Sequence, residues 1–300
     1  NDEEKEASMF CFEHELWNQL FAKENQIVLT SIFRQEEEDF LKILKYVRQG
    51  RITHSTKALL ESRIFKKEEL EEIRKNRVLT IINPFKRDSD FINAKSYREL
   101  PKDAIKHIYN IKYLKNSSKK KTEALEDNLN DLLIASNSSL KHDYEFLANN
   151  IMAEQTLELK IGTQVMCIAN IDLDSVNQIA NGSQGLIVGF KDGLPLVKFN
   201  NICEPMLINY YNWNSETNKN VCVSQIPLIY AWAITIHKAQ GVTLDGAIMD
   251  IGKNIFEYGQ TYVALSRVKS LEGLYLTSFD YTKIMANPKV KKFYENFNIN

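Results

Sequence analysis

Four short apolar runs constrain the fold of this chain more than any other feature: Val78 to Ile82, Leu228 to Ile234, Ala247 to Ile251 and Gly273 to Phe279. Each has the length of a strand rather than of a helix. A helical pattern over Gln260 to Val268 separates the last two. Strands that alternate with helices predict an α/β fold, a parallel sheet joined by crossover helices. A fifth short apolar run, Ile27 to Thr30, reads as a further buried strand that ends near Arg34.

The helices are read from periodicity. Glu36 to Gln49 has acids in its first turn, then Phe40, Leu44 and Val47 at i, i+4 and i+7, then Arg48, with Gly50 as the stop. A charged helix spans about Lys66 to Lys75, and a short one spans Glu13 to Ala22 with Leu16, Trp17, Leu20 and Phe21 on its inner side. Residues 115–122 read as a linker, followed by amphipathic patterns at Leu125, Leu129 and Leu132 and at Leu140, Tyr144, Leu147 and Ile151. Together they suggest a helical insertion over about 115–155. From Leu157 the texture changes. Thr163 to Ala169, Gly185 to Phe190 and Leu194 to Phe199 read as strands, with turns at Asn181-Gly182 and Lys191-Asp192-Gly193. A small β-barrel or meander is expected over 161–221, inside an α/β domain made of 1–160 and 222–300.

The run that begins at Leu228 breaks into Thr235, His237, Lys238, Gln240 and Gly241. Packing alone does not account for a cation, an imidazole, an amide and a glycine at one strand end, where ligands bind in open α/β sheets. His237 and Lys238 offer donors to a phosphate or a base edge, and Gly241 permits close backbone approach. By itself His237 would read as a buried cap and Lys238 as solvated. Arg267 follows on the next helix, one turn after Val263, from where it can aim at a γ-phosphate or simply lie on the surface. Arg34 can reach a phosphate held by a neighbouring domain, or it can pair with Glu36 or Glu37. In the β region Asn170 and the Asn181-Gly182 pair stand out, although turn chemistry alone explains the latter. Phe190 and Phe199 suit a barrel core, whereas Tyr210, Tyr211 and Trp213 are open to either packing or base stacking.

The formal net charge of −1 gives no general attraction to nucleic acid, so any basic groove must be local. Four scattered cysteines without a C-x-x-C pair fit free thiols in a reducing, intracellular setting rather than a zinc site. No apolar stretch is long enough for a membrane span. No G-x-x-x-x-G-K-[ST] string is present, and the only Gly-Lys pair is Gly252-Lys253. Such a chain is not expected to hold Mg-ATP by itself. Its charged start at Asn1 suggests a longer protein.

Taken together the strings resemble the C-terminal half of the PIF-type (petite integration frequency) helicases of superfamily 1B, beside RecD and Dda. The resemblance rests on Phe10 to Glu13 with Trp17, Leu29 to Gln35 (motif IV), Leu159 to Met166, Asn170 to Asp172 and Asn181 to Gly185. It is densest over Gln225 to Gly241 (motif V), Tyr262 to Arg267 (motif VI) and Leu271 to Leu274. Ala239 departs from the Ser of many relatives, and 115–150 match no motif of the family. The resemblance implies a second RecA-like domain carrying a Src-homology-type barrel. ATP and Mg2+ would be bound mainly by the protein's own N-terminal RecA-like domain. Arg34 and Arg267 would reach the γ-phosphate, and Gln240 and Gly241 would link nucleotide state to strand grip. Thr235, His237 and Lys238, with Asn170, Asn181 and Gly182 of the barrel, would hold single-stranded DNA. The implied activity is ATP-driven 5′-to-3′ translocation and unwinding of forked duplex DNA. Two other readings stand beside it. One is a stand-alone strand-binding or protein-docking module, and the other is a RecD-like subunit of a nuclease complex.

Overall fold

The computed structural model of the chain describes residues 9–29, 32–115, 123–124, 138–171, 178–200 and 202–297. Four parallel strands form the central sheet, in the order Ala233–Thr235, Thr80–Asn83, Ala247–Ile251 and Leu274–Phe279. Alternate side chains serve its two faces. Ile82, Ile234, Met249 and Leu276 join Phe40, Ile43, Leu44 and Val47 of the Glu38–Arg48 helix, and Ala264 and Leu265 of the Gln260–Leu265 helix, in one buried cluster. Leu79, Ile248 and Tyr275 pack on Leu70 of the Lys67–Asn76 helix on the opposite face. Gly50 stops the first of these helices at φ +67°, and a Cβ there would lie 2.8 Å from the Ala286 backbone nitrogen.

Both edges of this sheet are occupied. Asn93, on the Lys86–Glu99 helix, brackets the outer strand by donating to the Ala233 carbonyl (2.8 Å) and accepting from the Ala233 N–H (2.9 Å). At the other edge Arg63 to Phe65 adds a partial strand: Phe65 donates to the Leu276 carbonyl, and Leu276 donates to that of Arg63. No edge is left for the strand expected at Ile27 to Thr30. Ile27 and Leu29 are 83% and 87% exposed and form no strand, and Thr30 lies outside the described residues. The short helix expected over Glu13 to Ala22 is likewise reduced to Cys11–Glu13 and Trp17–Leu20. Leu16, Leu20 and Phe21 are largely exposed rather than inward; Trp17 packs against Phe293, and Phe21 lies on the Trp17 ring.

The run from Leu228 to Ile234 is two strands, not one. Leu228–Tyr230 pairs antiparallel with Gln164–Cys167, and Ala233–Thr235 joins the parallel sheet. The chain changes sheets at Ala231-Trp232. A five-stranded antiparallel sheet follows the order Leu228–Tyr230, Gln164–Cys167, Gln184–Lys191, Leu194–Phe199 and Met206–Leu207. Asp192 and Gly193 both have positive φ in the Lys191–Leu194 hairpin, the geometry of the expected tight turn. Phe199 is buried and Phe190 packs against the same cluster. Strands outside the expected limits of the β region complete this part. Lys106–Asn110 pairs with Thr156–Lys160, and Lys112–Lys115 pairs with Val221–Gln225, beside Tyr211–Asn214. Tyr144 of the Ser138–Asn150 helix is buried here and donates to the Leu114 carbonyl. The amphipathic pattern at Leu125, Leu129 and Leu132 lies outside the described residues.

Side-chain amides, two of them buried, fasten the antiparallel sheet to the amino ends of the parallel strands. Gln164 donates to the Leu79 and Ala231 carbonyls, Gln184 donates to Thr80 Oγ1, and Asn200 donates to the Val78 carbonyl. The bonds to Leu79, Thr80 and Val78 cross between the two sheets, so they fix how the sheets are oriented as well as that they touch.

Candidate functional site

Loop 235–243 runs from one end of the parallel sheet to the other. Thr235 pairs with Asn83 at the carboxyl end. Its Oγ1 accepts from the Lys238 N–H and its carbonyl accepts from Ala239, which makes one helical turn. Gly241 then takes φ +79°. The loop ends at Leu244, which bridges to Val268 ahead of the strands' amino ends. Thr235 therefore starts the loop at the carboxyl end, and Thr243 and Leu244 close it at the amino end.

At the carboxyl end, Thr235 and Lys238 line a cavity of about 260 Å³ with Lys86, Asn93, Glu154 and Tyr230. Lys238 Nζ stands 3.8 Å from Glu154 Oε1, an exposed pair that a competing phosphate can replace at little cost. His237, Gln240 and Gly241 are exposed on the same loop.

At the amino end two guanidinium groups meet. Arg34 donates from Nε to Thr243 Oγ1 (2.9 Å) and from Nη1 to the Ser266 carbonyl (3.2 Å). Arg34 does not pair with Glu36 or Glu37; Glu37 instead accepts from the Leu271 N–H at 2.8 Å. Next to Arg34, Gln35 is buried and donates to the Ser266 and Val268 carbonyls, which anchors the backbone. Arg267 is 8% exposed. It donates to the carbonyls of Val263, Ala239 and Val242 and to Ser266 Oγ. Burial first, and the neighbouring Arg34 cation second, pull the Arg267 guanidinium down to about 10. It keeps its charge at neutral pH, and the lowered value records a cation with too little solvent and too much positive company. Among the described residues neither guanidinium has a carboxylate within salt-bridge distance.

A guanidinium has five N–H groups. Arg267 has four acceptors for them, two on its own helix turn (Val263, Ser266) and two on loop 239–242 (Ala239, Val242), so it clasps that loop to its helix. Arg34 has two acceptors, and its Nη2 bonds no described residue. Of the pair, Arg34 is the one with donors to spare for an incoming anion.

The barrel residues divide as well. Asn170 is exposed, and its Oδ1 accepts from the Asn181 N–H at 2.9 Å. Gly182 is buried against Val242 and Thr243 and has no surface to offer a DNA strand. Among the described residues no helix is long and apolar enough to cross a membrane, and no group of three His, Cys, Asp or Glu is placed to hold a metal ion.

Known proteins agree with the motif strings. The family model described as DNA helicase Pif1, 2B domain, matches residues 144–190. The ATP-dependent DNA helicase PIF1 of Xenopus laevis is 31% identical over 295 residues, 95% of this chain and 40% of that protein. The chain is a relative of the PIF1 helicases. Two solved structures share its architecture. Pif1 from Bacteroides sp in complex with ADP-AlF4 is 25% identical with a TM-score of 0.67, over 90% of this chain and 56% of that one. Pif1 helicase from Candida albicans is 28% identical with a TM-score of 0.61, over 98% and 65%. The chain thus spans about 40% of the length of the curated relative. The Pif1 2B match begins at Tyr144, within the Ser138–Asn150 helix. Residues 144–150, at the end of the 115–150 segment that matched no motif in the sequence, therefore fall within that match.

Motif reading missed Thr243 and Ser266, which hold Arg34, and also Lys86 and Asn93, which lie in a helix with no strong apolar stripe. Thr243 follows motif V directly, so its position was the available signal.

Proposed function

We propose that this chain is the second RecA-like motor domain of an ATP-dependent DNA helicase that translocates 5′-to-3′ on single-stranded DNA and opens forked duplexes. The observation that carries the proposal is the Arg34–Arg267 pair. Two cations lie close enough to repel, with no carboxylate among the described residues within salt-bridge distance of either, and loop 235–243 joins them to a lysine-lined cavity. Such a pair is costly until an anion arrives, and the γ-phosphate of a nucleotide held by a first RecA-like domain of the same protein supplies that anion. The donor set fits the phosphate tail of ATP and offers nothing for Mg2+, which the first domain would coordinate. ATP supplies the reactive phosphoanhydride. Arg34 stabilises charge that develops on its terminal phosphate, and Arg267 holds loop 239–242, including Gln240 and Gly241, in register with it.

In this proposal Thr235, His237 and Lys238 grip the strand at the other end of the loop. The sheet over 161–221, a Src-homology-type barrel, walls the channel, and Asn170 and Asn181 sit on its rim. Nucleotide state at the arginines and strand grip at the cavity are thereby two ends of one loop. The protein works in a reducing intracellular compartment.

Binding of the isolated chain to a fluorescent single-stranded oligonucleotide tests the strand half. Weak binding that falls steeply with salt is expected. Lys238→Ala and Lys86→Ala should each lower the log–log salt slope by about 0.7, one phosphate contact apiece. Binding that ignores salt, or slopes unchanged in both variants, would remove the cavity from the strand path.

A further inference from the structure

The Asn181-Gly182 turn belongs to the antiparallel sheet, yet its contacts reach the arginine pair. Gly182 has φ +101°, and its N–H donates to the Cys167 carbonyl at 2.8 Å, which ties the turn to its own sheet. A Cβ on Gly182 would stand 2.5 Å from the Thr243 carbonyl oxygen, 2.7 Å from Val242 Cγ1 and 2.9 Å from the Thr243 nitrogen. Backbone atoms at such distances cannot give way cheaply, so two backbones are pressed together here and only glycine fits. Thr243 in turn supplies the hydroxyl that accepts from Arg34 Nε.

The bonds around Arg34 divide the labour. Gln35 anchors the main chain of this segment through the Ser266 and Val268 carbonyls. The Ser266 carbonyl that Arg34 also uses is shared with Gln35. Thr243 is therefore the only side chain, among the described residues, that fixes where the Arg34 guanidinium lies. A bond to Nε orients the planar group and leaves Nη2 as the donor that can face a phosphate.

We propose that Thr243 is the positioning residue for Arg34, and that Gly182 sets where Thr243 stands. The antiparallel sheet and the phosphate-facing guanidinium then form one mechanical unit. A strand that shifts the Asn181-Gly182 turn shifts Thr243, and through it the catalytic arginine. This rests on the motor reading above, and the assay separates the two.

The test is steady-state ATP hydrolysis by the complete protein. Thr243→Val keeps the shape and removes the acceptor. It is expected to lower kcat about 10- to 100-fold with little change in KM, as misplacing a catalytic group does. Thr243→Ser restores the acceptor and is expected to stay within about twofold of wild type. In an Arg34→Ala background Thr243→Val is expected to cost nothing further, since residues acting as one unit are non-additive. Gly182→Ala is expected to lower kcat in the same direction, and the Thr243 pair carries the test even if that variant folds poorly. Wild-type turnover in Thr243→Val, an equal loss in Thr243→Ser, or a full additional loss on top of Arg34→Ala would each overturn the inference. Normal turnover in Arg34→Ala alone would instead overturn the motor reading.

Discussion

Replacing Arg34 by Ala in the complete protein is expected to lower ATP turnover about a thousandfold while nucleotide affinity stays within a few-fold. An arginine that touches only the transferring phosphate stabilises charge that is largest in the transition state, and losses of that order follow its removal. Arg34 is suited to this because Thr243 and the Ser266 carbonyl take only part of its donor set. Arg34→Lys is not expected to rescue, since an ammonium cannot bond Thr243 and present a second donor in the same plane. The variant's fold should be intact, because Gln35, not Arg34, pins the segment. Paired measurement of kcat and of the dissociation constant for a non-hydrolysable ATP analogue checks this. A variant with normal kcat would take Arg34 out of the chemistry.

Arg267→Ala is expected to behave differently, losing turnover and also about 2 kcal/mol of stability. Its guanidinium is buried and serves carbonyls at Val263, Ala239 and Val242. Ala239 keeps the Val242 N–H and Val263 keeps the Ser266 hydroxyl, whereas the Val242 carbonyl and Ser266 Oγ lose a charged donor in a place water reaches poorly. Relief of the repulsion with Arg34 returns part of that cost, which keeps the net figure near 2 rather than higher. Urea unfolding of the isolated chain reads the effect directly. Arg267→Ala should shift the midpoint down, whereas Arg34→Ala should leave it close to wild type or slightly above. Equal midpoints for Arg267→Ala and wild type would mean that the clasp on loop 239–242 has no energetic weight.

These two arginines also show what a sequence can and cannot give. The parallel strands Thr80–Asn83, Ala247–Ile251 and Leu274–Phe279 were readable because each falls on a short, mainly apolar run, and the Glu38–Arg48 helix because Phe40, Leu44 and Val47 repeat on one side. Leu228 to Ile234 misled for the same reason: two strands of different sheets, joined without a polar break, look like one. Ile27 to Leu29 has strand chemistry, but Arg63 to Phe65 and the Lys86–Glu99 helix already fill both edges, a fact of tertiary competition that local pattern does not contain. Lys106–Asn110 and Lys112–Lys115 went unread because both are short and their polar and apolar residues do not sort by face: in the first, Ile108 lies exposed beside Lys106 and Asn110 while Tyr109 is buried. At the site, residue types announced Arg34, Arg267 and the Thr235–Gly241 loop. The division of that loop between two ends of the sheet depends on a crossing path, and the burial of Gly182 depends on a contact between residues far apart in the chain.

The most direct test of the central claim is a crystal structure of the complete protein with ADP and aluminium fluoride. The expected result is Arg34 Nη2 within about 3 Å of a fluoride, with Nε still bonded to Thr243 Oγ1 and Arg267 still clasping the Ala239 and Val242 carbonyls. A fluoride surrounded by other groups, with Arg34 turned away from it, would contradict the account.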